Sequence, residues 1–475
     1  MESQCFSVGR KTALVCESIA FFFEKTLDIF IKLWFNRCIV LDRHFQRYRL
    51  VTCLPPTGNR IKAQYTMRLT FKYPVYPTQA EERILEKWLA HLCDLQNSAR
   101  HDRLVAYETE GAFVSLSDQQ SLLKTARETY DDFREVPQDF QNHALRRNDK
   151  AFTAFRKRCK ENAAKKGYPR HKKRVRSLTW SLRKYTKVVR KKTKDTDKQT
   201  IRVRENPIIE TTFRHNRLKV PKLGEVKIRM HRPLQGDPKE VTLVKKASGW
   251  YAHISCDIED TPKVEPTDAI AVDVGTTHYL TTSEGETEDN PRWYRQAEGL
   301  LRKHSKDLSR KKKGSHRRKK QHHKLALHHE RTTNRRKDFI GKLVYKLYHH
   351  QKNNVLVAEG LGVSNMIQNK HLSKSIADAS WSTFFEWCAS IAERDGLHFH
   401  QVDPKNTSQT CSACGQKSEK KLSLAIRTFD CQFCGHSMDR DHNAAINILL
   451  RAACAHRGER WVTNLTETRN LSVDR

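Results

Sequence analysis

Between Cys411 and Asn447 the chain places two kinds of metal-binding chemistry in one short segment. Cys411-x-x-Cys414 is followed, after sixteen residues, by Cys431-x-x-Cys434. Asp439, Asp441, His442, Asn443, Ala444 and Ala445 come directly behind. Two C-x-x-C pairs at this spacing predict a tetrahedral Zn²⁺ site of four thiolates. A redox dithiol would account for one pair but not for two. The segment is too small to bury a core of its own. Its metal must therefore supply the folding energy, about 10–16 kcal/mol in comparable peptides. Zinc here is structural, a single ion, and His436 is a bystander because four thiolates already fill the site. The carboxylates behind it open a helix and suggest a second, metal-dependent task.

The charge narrows the partners. Lys+Arg 89 against Asp+Glu 54 gives a net charge of +35 and a pI near 9.8. An excess of this size is the footprint of a polyanion partner, with nucleic acid ahead of a merely solubilising surface. An anionic membrane is the rival, but no basic amphipathic anchor is evident. The 13 cysteines, odd in number and with paired C-x-x-C spacing, argue for an intracellular protein and against a disulfide scaffold. The apolar stretch Ala13–Phe35 is interrupted by Glu17, Glu24, Lys25, Asp28 and Lys32, more charge than a bilayer span tolerates. It reads as a soluble helix or as sequence outside the functional domain, and a translation start at Met67 fits the strand-like run that begins there.

Patterning along the chain predicts three regions. Tyr65–Tyr76 alternates as a strand. Residues 78–165 follow as about three helices, opening at a capping box, Thr78 to Glu81, with a second cap at Ser117–Gln120. The third helix carries Leu145, Phe152, Phe155 and Cys159 and ends near Gly167 and Pro169. Short strand-like runs at Ser177–Leu182, Ile201–Arg204, Val226–Met230, Val241–Lys245 and Trp250–Asp257 predict a small β-barrel or sheet, which the first strand joins. Beyond the polar linker Glu259–Asp268, apolar strands Ala269–Val274, Asn354–Ala358 and Leu397–Val402, a hairpin partner Thr277–Thr282 and a helix around Trp381–Ile391 predict an α/β sheet.

Three acids stand out. Asp273 and Glu359 each end a buried apolar strand, where a carboxylate is costly unless it binds a cation or a donor. Asp441 opens the last helix. Each has an alternative reading alone: Asp273 as a turn residue before Gly275, Glu359 as a loop cap before Gly360, and Asp439 or Asp441 as helix caps. Together they suit two Mg²⁺ about 4 Å apart, one ion activating water and the other stabilising the leaving oxygen of a phosphodiester. Two basic clusters are candidate phosphate contacts: Lys172, Lys173, Arg174 and Arg176, and, within a basic helical stretch from Leu301 to Asp338, Arg310, Lys311, Lys312, Lys313, Arg317, Arg318, Lys319 and Lys320. Acids are scarce in that stretch, so it repels itself unless an anion neutralises it.

Ala271–Gly275, Ala358–Gly360, Thr407–Gly415, Phe429–Gly435 and the Asp439–Asn447 run resemble, in order, the nuclease motifs and zinc ribbon of the TnpB family, relatives of the miniature type V CRISPR effectors. The resemblance covers about residues 63–453 and is most specific from Asp273 onward. It implies a multidomain α/β chain: a wedge domain with its first strand at 63–77 and the rest at 171–264, a helical recognition module at 78–170, and an RNase H-like RuvC core at 265–408. A zinc ribbon at 409–436, a final core motif at 437–455 and a tail at 456–475 complete it. Residues 1–62 precede the resemblance and suggest no chemistry. Asp273, Glu359 and Asp441 match the catalytic, Mg²⁺-binding acids, Asp441 rather than Asp439 because Asp-x-Asn-Ala is the shared part. Cys411, Cys414, Cys431 and Cys434 match the zinc ligands. By resemblance the protein is a Mg²⁺-dependent DNA endonuclease directed by a guide RNA from the transposon end. It reads only a short motif flanking its DNA target, and works in the cytoplasm of a prokaryotic host. The alternatives are an RNase H-like transposase and a nuclease-inactive RNA-guided regulator. The presence of all three acids and the ribbon ahead of the third favour the nuclease.

Overall fold

The computed structural model describes residues 66–182, 186–191, 200–205, 213–214, 216–350, 353–419, 422, 426–456 and 461–462. The N-terminal apolar stretch and most of the C-terminal tail lie outside these residues. No described helix is long and apolar enough to cross a membrane. The chain divides into two compact units, one of Gln79–Trp180 with Val220–Gly224, the other of Gln64–Thr78, Ser181–Lys219 and Glu225 onward.

The first unit is helical: α1 (Gln79–Glu110), α2 (Leu116–Thr129), the short α3 (Asp131–Glu135) and α4 (Gln138–Lys160). The cap of α2 is Ser115, two residues earlier than its sequence suggested. Asp118 completes a capping box by accepting from the Ser115 amide at 2.9 Å. Ser117 instead falls inside the first turn. Ala99, Leu123 and Leu145 close the core between the helices. Arg103, almost fully buried, is neutralised by Asp149 at 2.9 Å and donates to Gln119 at 3.0 Å, the pairing that a buried guanidinium requires.

In the second unit, β1 (Thr66–Tyr76) lies between two later strands. It pairs antiparallel with β9 (Gly249–Glu259) along its whole length, from Thr66↔Glu259 to Val75↔Trp250, and with β7 (Gly224–Ile228) at its end. The sheet runs β8-β9-β1-β7-β6-β5, with β8 at Asp237–Lys246, β6 at Arg217–Val220 and β5 at Phe213–Arg214. Alternation buries Phe71, Tyr73, Val75, Val241, Leu243, Ala252 and Ile254 on one face. Gly236, at φ +75°, is required at the turn into β8, because a Cβ there would stand 2.3 Å from the Asp257 carbonyl oxygen. A separate hairpin, β3 (Thr186–Lys191) with β4 (Thr200–Glu205), is rich in lysine and arginine, and only its second strand had a readable pattern. One further strand, β2 (Ser177–Ser181), follows the helices of the first unit.

The same unit holds a five-stranded sheet of order β12-β11-β10-β13-β14. Strands β10 (Ala269–Val274), β11 (His278–Thr282) and β12 (Thr287–Asp289) form an antiparallel meander, while β13 (Val355–Glu359) and β14 (His398–Val402) run parallel to β10. Ile270, Val272, Leu356 and Ala358 face one apolar layer, formed by α6 (His316–Tyr345) and α9 (Trp381–Asp395) through Ile340, Leu343, Val344, Phe384 and Cys388. Ala269, Ala271, Val355 and Val357 face the other, where α10 (Arg440–Ala455) packs Ile448, Leu449, Ala452 and Ala453 against them. Burial on both faces is why β10 and β13 read as unbroken apolar runs.

The basic stretch Leu301–Asp338 is not one helix. It divides into α5 (Trp293–Ser309) and α6, joined through Gly314 at φ +85°. Ser315 caps α6, and the α5 N-terminus is capped by Asp378, which accepts from the Tyr294 and Arg295 amides at 2.8 and 3.2 Å. Short helices α7 (Val363–Met366) and α8 (Ser373–Ala379) carry the chain from β13 to α9.

Gly341 is where α6 meets α9: a Cβ would stand 2.5 Å from the Trp387 ring. Gly341→Val should therefore lower the melting temperature, by an amount equivalent to about 1–3 kcal/mol of overpacking, whereas Gly299→Ala, with open space around it, should not. Thermal unfolding of the two variants tests this.

Candidate active site and metal centre

Parallel pairing of β10 with β13 sets Val272 beside Ala358. The next residues, Asp273 and Glu359, therefore lie side by side near the carboxyl ends of neighbouring strands, the place where open α/β sheets form their sites. Asp441 approaches from the first turn of α10. Burial pushes the Asp273 carboxyl well above the ordinary carboxylate range, and the charges of Glu359 and Asp441 push it further, while Arg440 opposes them. Glu359, 8% exposed, is also raised by burial, against a hydrogen bond from the Thr407 hydroxyl and the field of Arg451. This is an electrostatic deficit that a divalent cation relieves. The donors are hard carboxylate oxygens, which suit Mg²⁺.

Asp439 has a different occupation. It is the N-cap of α10, and its Oδ1 accepts from the amides of Asp441 and His442, both at 2.9 Å. Its carboxylate is committed to the helix dipole. The Asp441 carboxylate instead faces Arg427, whose Nη1 lies 3.5 Å from its Oδ2.

The four cysteines meet as the spacing predicts. Their sulfurs all lie within 4.8 Å of one another, and they form the one cluster of that tightness among the described residues. Cys411 Sγ is 3.7 Å from Cys434 Sγ, and Cys414 Sγ is 3.5 Å from Cys431 Sγ. A tetrahedron with Zn–S bonds of about 2.3 Å needs sulfurs about 3.8 Å apart, so the cage fits the ion. The two knuckles are built alike. Gly415 and Gly435, at φ +74° and +70°, turn their amides back to the carbonyls of Cys411 and Cys431 at 2.9 and 3.1 Å. Amides at Cys434 and Phe433 help to draw the Cys431 thiol down to about 6, while burial pushes Cys411 up to about 12. His436 lies against the Met438 sulfur at 3.1 Å and is not in the cage.

Two residues that the sequence reading passed over join ribbon to core. Asn443, fully buried, accepts from the Ser412 amide at 2.9 Å and donates to the Thr410 carbonyl at 2.8 Å. Asn447, one turn later, donates to the carbonyls of Thr407 and Thr410 at 2.9 and 2.6 Å. Their i, i+4 spacing on an otherwise apolar helix face was the available signal. Thr407, held by this clamp, in turn donates to Glu359.

The basic candidates fare differently. In the first unit, Lys172, Lys173, Arg174 and Arg176 are exposed along an extended segment, whose backbone is anchored where Asn97 exchanges hydrogen bonds with Lys172 at 2.8 and 2.9 Å. In the second, Arg310, Lys312, Lys313, Arg317, Lys319 and Lys320 are exposed and Lys311 is half-buried. Arg318 is committed to structure, its Nη1 donating to the carbonyls of Leu308 at 2.6 Å and Lys311 at 2.9 Å. A further basic cluster is assembled only by folding. Lys72 of β1 and Lys246 of β8 sit over the Tyr251 ring at 4.1 and 5.4 Å, and burial together with Lys246, Lys72 and Lys337 depresses the pKa of His253.

Asn443→Ala should cost about 1–3 kcal/mol, the penalty for stranding buried partners, and should speed zinc release with all four thiols intact. A chromophoric-chelator assay on variant and parent measures it.

Comparison with known proteins follows this geometry. A family described as "Probable transposase" matches residues 253–370, and one described as "Cas12f1-like, TNB domain" matches residues 381–448. A Streptomyces pristinaespiralis protein named as an RNA-guided DNA endonuclease is 31% identical over 398 residues, covering 82% of this chain and 90% of that protein. Escherichia coli InsQ, similarly named, is 29% identical over 254 residues, covering 50% of this chain and 62% of its own length. Among solved structures, a Cas12f1–sgRNA–target DNA complex superposes with a TM-score of 0.50 at 12% identity, covering 81% of this chain and 98% of the other, a likeness of fold. With a relative 31% identical matched along nearly its whole length, the chain belongs to the TnpB family.

Proposed function

We propose that this protein is an RNA-guided DNA endonuclease of the TnpB type, with an RNase H-like RuvC core that uses Asp273, Glu359 and Asp441 to hold two Mg²⁺. The observation that carries the catalytic reading is the convergence of these acids from β10, β13 and α10 at the edge of one sheet, with Asp273 held in an unfavourable field until a cation arrives. Bound there, Mg²⁺ supplies water activation and stabilisation of the leaving oxygen. The chain's part is positional. Asp273 and Glu359 are fixed by strand pairing, Thr407 orients the Glu359 carboxylate by donating to it, and Asp439 holds the first turn of α10 so that Asp441 points at its partners. The ribbon's zinc keeps a structural role, because its thiolates are already complete.

The nucleic-acid surface is assigned on charge. Lys172, Lys173, Arg174 and Arg176 in one unit, and Arg310, Lys311, Lys312, Lys313, Arg317, Lys319 and Lys320 in the other, are proposed contacts to guide RNA or heteroduplex backbone. Arg318 is withdrawn from that set because its guanidinium serves the α5–α6 turn. Lys72, Lys246 and Lys337 join it. Clustered like charges, with Lys72 and Lys246 half-buried, are stabilised by a phosphate. Target choice is then delegated to the guide, with a short flanking motif read by protein.

Asp273→Asn should reduce plasmid cleavage in Mg²⁺ to background while the co-purifying RNA is retained. It should also raise the melting temperature of the metal-free protein. A carboxyl with a raised folded pKa favours its protonated form, so above its unfolded pKa the ionised group weakens the fold, and the neutral amide removes that penalty. Loss of RNA along with cleavage would refute the assignment. Replacing Lys72, Lys246 and Lys337 together by Ala should flatten the log–log salt dependence of nucleic-acid binding by about 0.7–0.9 per lost phosphate contact, as measured by filter binding.

A further inference from the structure

The zinc ribbon reaches the acids through Arg427. In its hairpin, β15 (Thr428–Asp430) pairs with β16 (Ser437–Asp439), with Thr428 opposite Asp439. The ladder continues one step beyond, where the Arg440 amide donates to the Arg427 carbonyl at 2.7 Å. Arg427 thus comes to lie opposite the residue before Asp441, and its side chain spans the entrance to the acids. Nη1 is 3.5 Å from Asp441 Oδ2, while Nη2 donates to Thr277 Oγ1, in the turn between β10 and β11, at 2.6 Å. The neighbouring Arg440 directs Nη1 to the Ile426 carbonyl at 3.2 Å. Arg427 is ion-paired with Asp441, and about half of its side chain is exposed, so it can leave.

A guanidinium and a divalent ion at one carboxylate compete for the same negative charge. We propose that Arg427 is a displaceable counter-cation. It pairs Asp441 in the metal-free protein and gives it up as the divalent ion loads, so that the register of the ribbon hairpin sets the metal affinity of the nuclease site. The proposal rests on Asp441 being a metal ligand. It gives the ribbon a role in the chemistry without giving zinc one. Arg427 acts here as a positioning residue through Asp441, and its signature is metal affinity, apart from turnover.

The test is a Mn²⁺ titration followed by electron paramagnetic resonance on the zinc-loaded, full-length protein without DNA. Arg427→Gln removes the charge and keeps hydrogen-bonding capacity toward Thr277. It should bind Mn²⁺ about tenfold more tightly, a coupling of ordinary size. Arg427→Lys, which keeps the charge, should bind like the parent, and Asp441→Asn should bind more weakly. Affinity unchanged or weakened in Arg427→Gln with full zinc content would overturn the proposal, as would equal shifts in the Gln and Lys variants. If Arg427→Gln loses its zinc, Thr277→Val decides. It releases one anchor of the guanidinium, and tighter Mn²⁺ binding is expected, unchanged binding being contrary. Should Asp441→Asn and Asp273→Asn both leave Mn²⁺ binding untouched, the assignment of the acids itself fails and this inference fails with it.

Discussion

The parallel pairing of β10 with β13 is the constraint on which the rest depends. Two strands buried on both faces reach the same level, and each carries an acid at or next to its carboxyl end, Asp273 in β10 and Glu359 in β13. The sheet is held by apolar contacts above and below, so it tolerates at its edge two carboxylates that would separate if they could. The third arrives on α10, a helix that lies close to the sheet because Ala452 and Ala453 face Ala269 and Ala271. Small residues on both sides of that contact bring Asp441 within the field of Asp273. The convergence is thus a consequence of packing, and it leaves Asp273 in an unfavourable field.

The chain keeps its two candidate metal sites apart by chemistry and by topology. Soft thiolates form a closed cage within the ribbon, and hard carboxylates form an open edge on the sheet. Between them stand Asn443 and Asn447, which spend their amides on the backbone of Thr407–Ser412. That clamp has a second effect, since the Thr407 it fixes is the donor to Glu359. One helix therefore carries an acid, locates the ribbon and supports the residue that orients another acid. This concentration of roles explains why the Asp-x-Asn-Ala-Ala-x-Asn run holds so many polar residues in an otherwise buried helix.

Much of this was legible in the sequence, and the exceptions have physical reasons. The thiolate knuckles and the strands ending at Asp273 and Glu359 were readable because their signals are local: fixed ligand spacing, and apolar runs stopped by a charge. The preference for Asp441 over Asp439 agrees with the cap geometry, in which Asp439 is spent on two amides. The cap of α2 was misplaced because Ser115 and Ser117 both suit a cap, and only backbone conformation separates them. The split of the basic stretch into α5 and α6 was missed because charged residues carry little periodicity and Gly314 was not weighed. Strands β3 and β5 were missed for a related reason, being short or rich in lysine and arginine, and β6 because its alternation, Leu218 and Val220 buried between exposed Arg217 and Lys219, spans four residues alone. Charge itself misled most. Arg318 sits in a basic run yet serves two carbonyls, whereas Lys72, Lys246 and Lys337, far apart in sequence, come together around His253. A run of charge in sequence is not a patch of charge in space.

The position of the ribbon within the core follows from the same reasoning. An insertion between a strand and a helix is tolerated when its two ends stay close, because the core then loses little order when the insertion is long. Here the ends are tied to the same turns of α10: Thr407, Thr410 and Ser412 at the entry through Asn443 and Asn447, and Asp439 at the exit through its own cap. The four-cysteine cage holds the interior of the insertion, whose buried core among the described residues is Phe429 with Cys411 and Cys431. Arg427 sits at the hairpin edge, anchored there by the Arg440 amide on its carbonyl and by its own bond to Thr277. A rigid ribbon on a clamped base can hold one exposed cation over a carboxylate, where a loop of the same length could not.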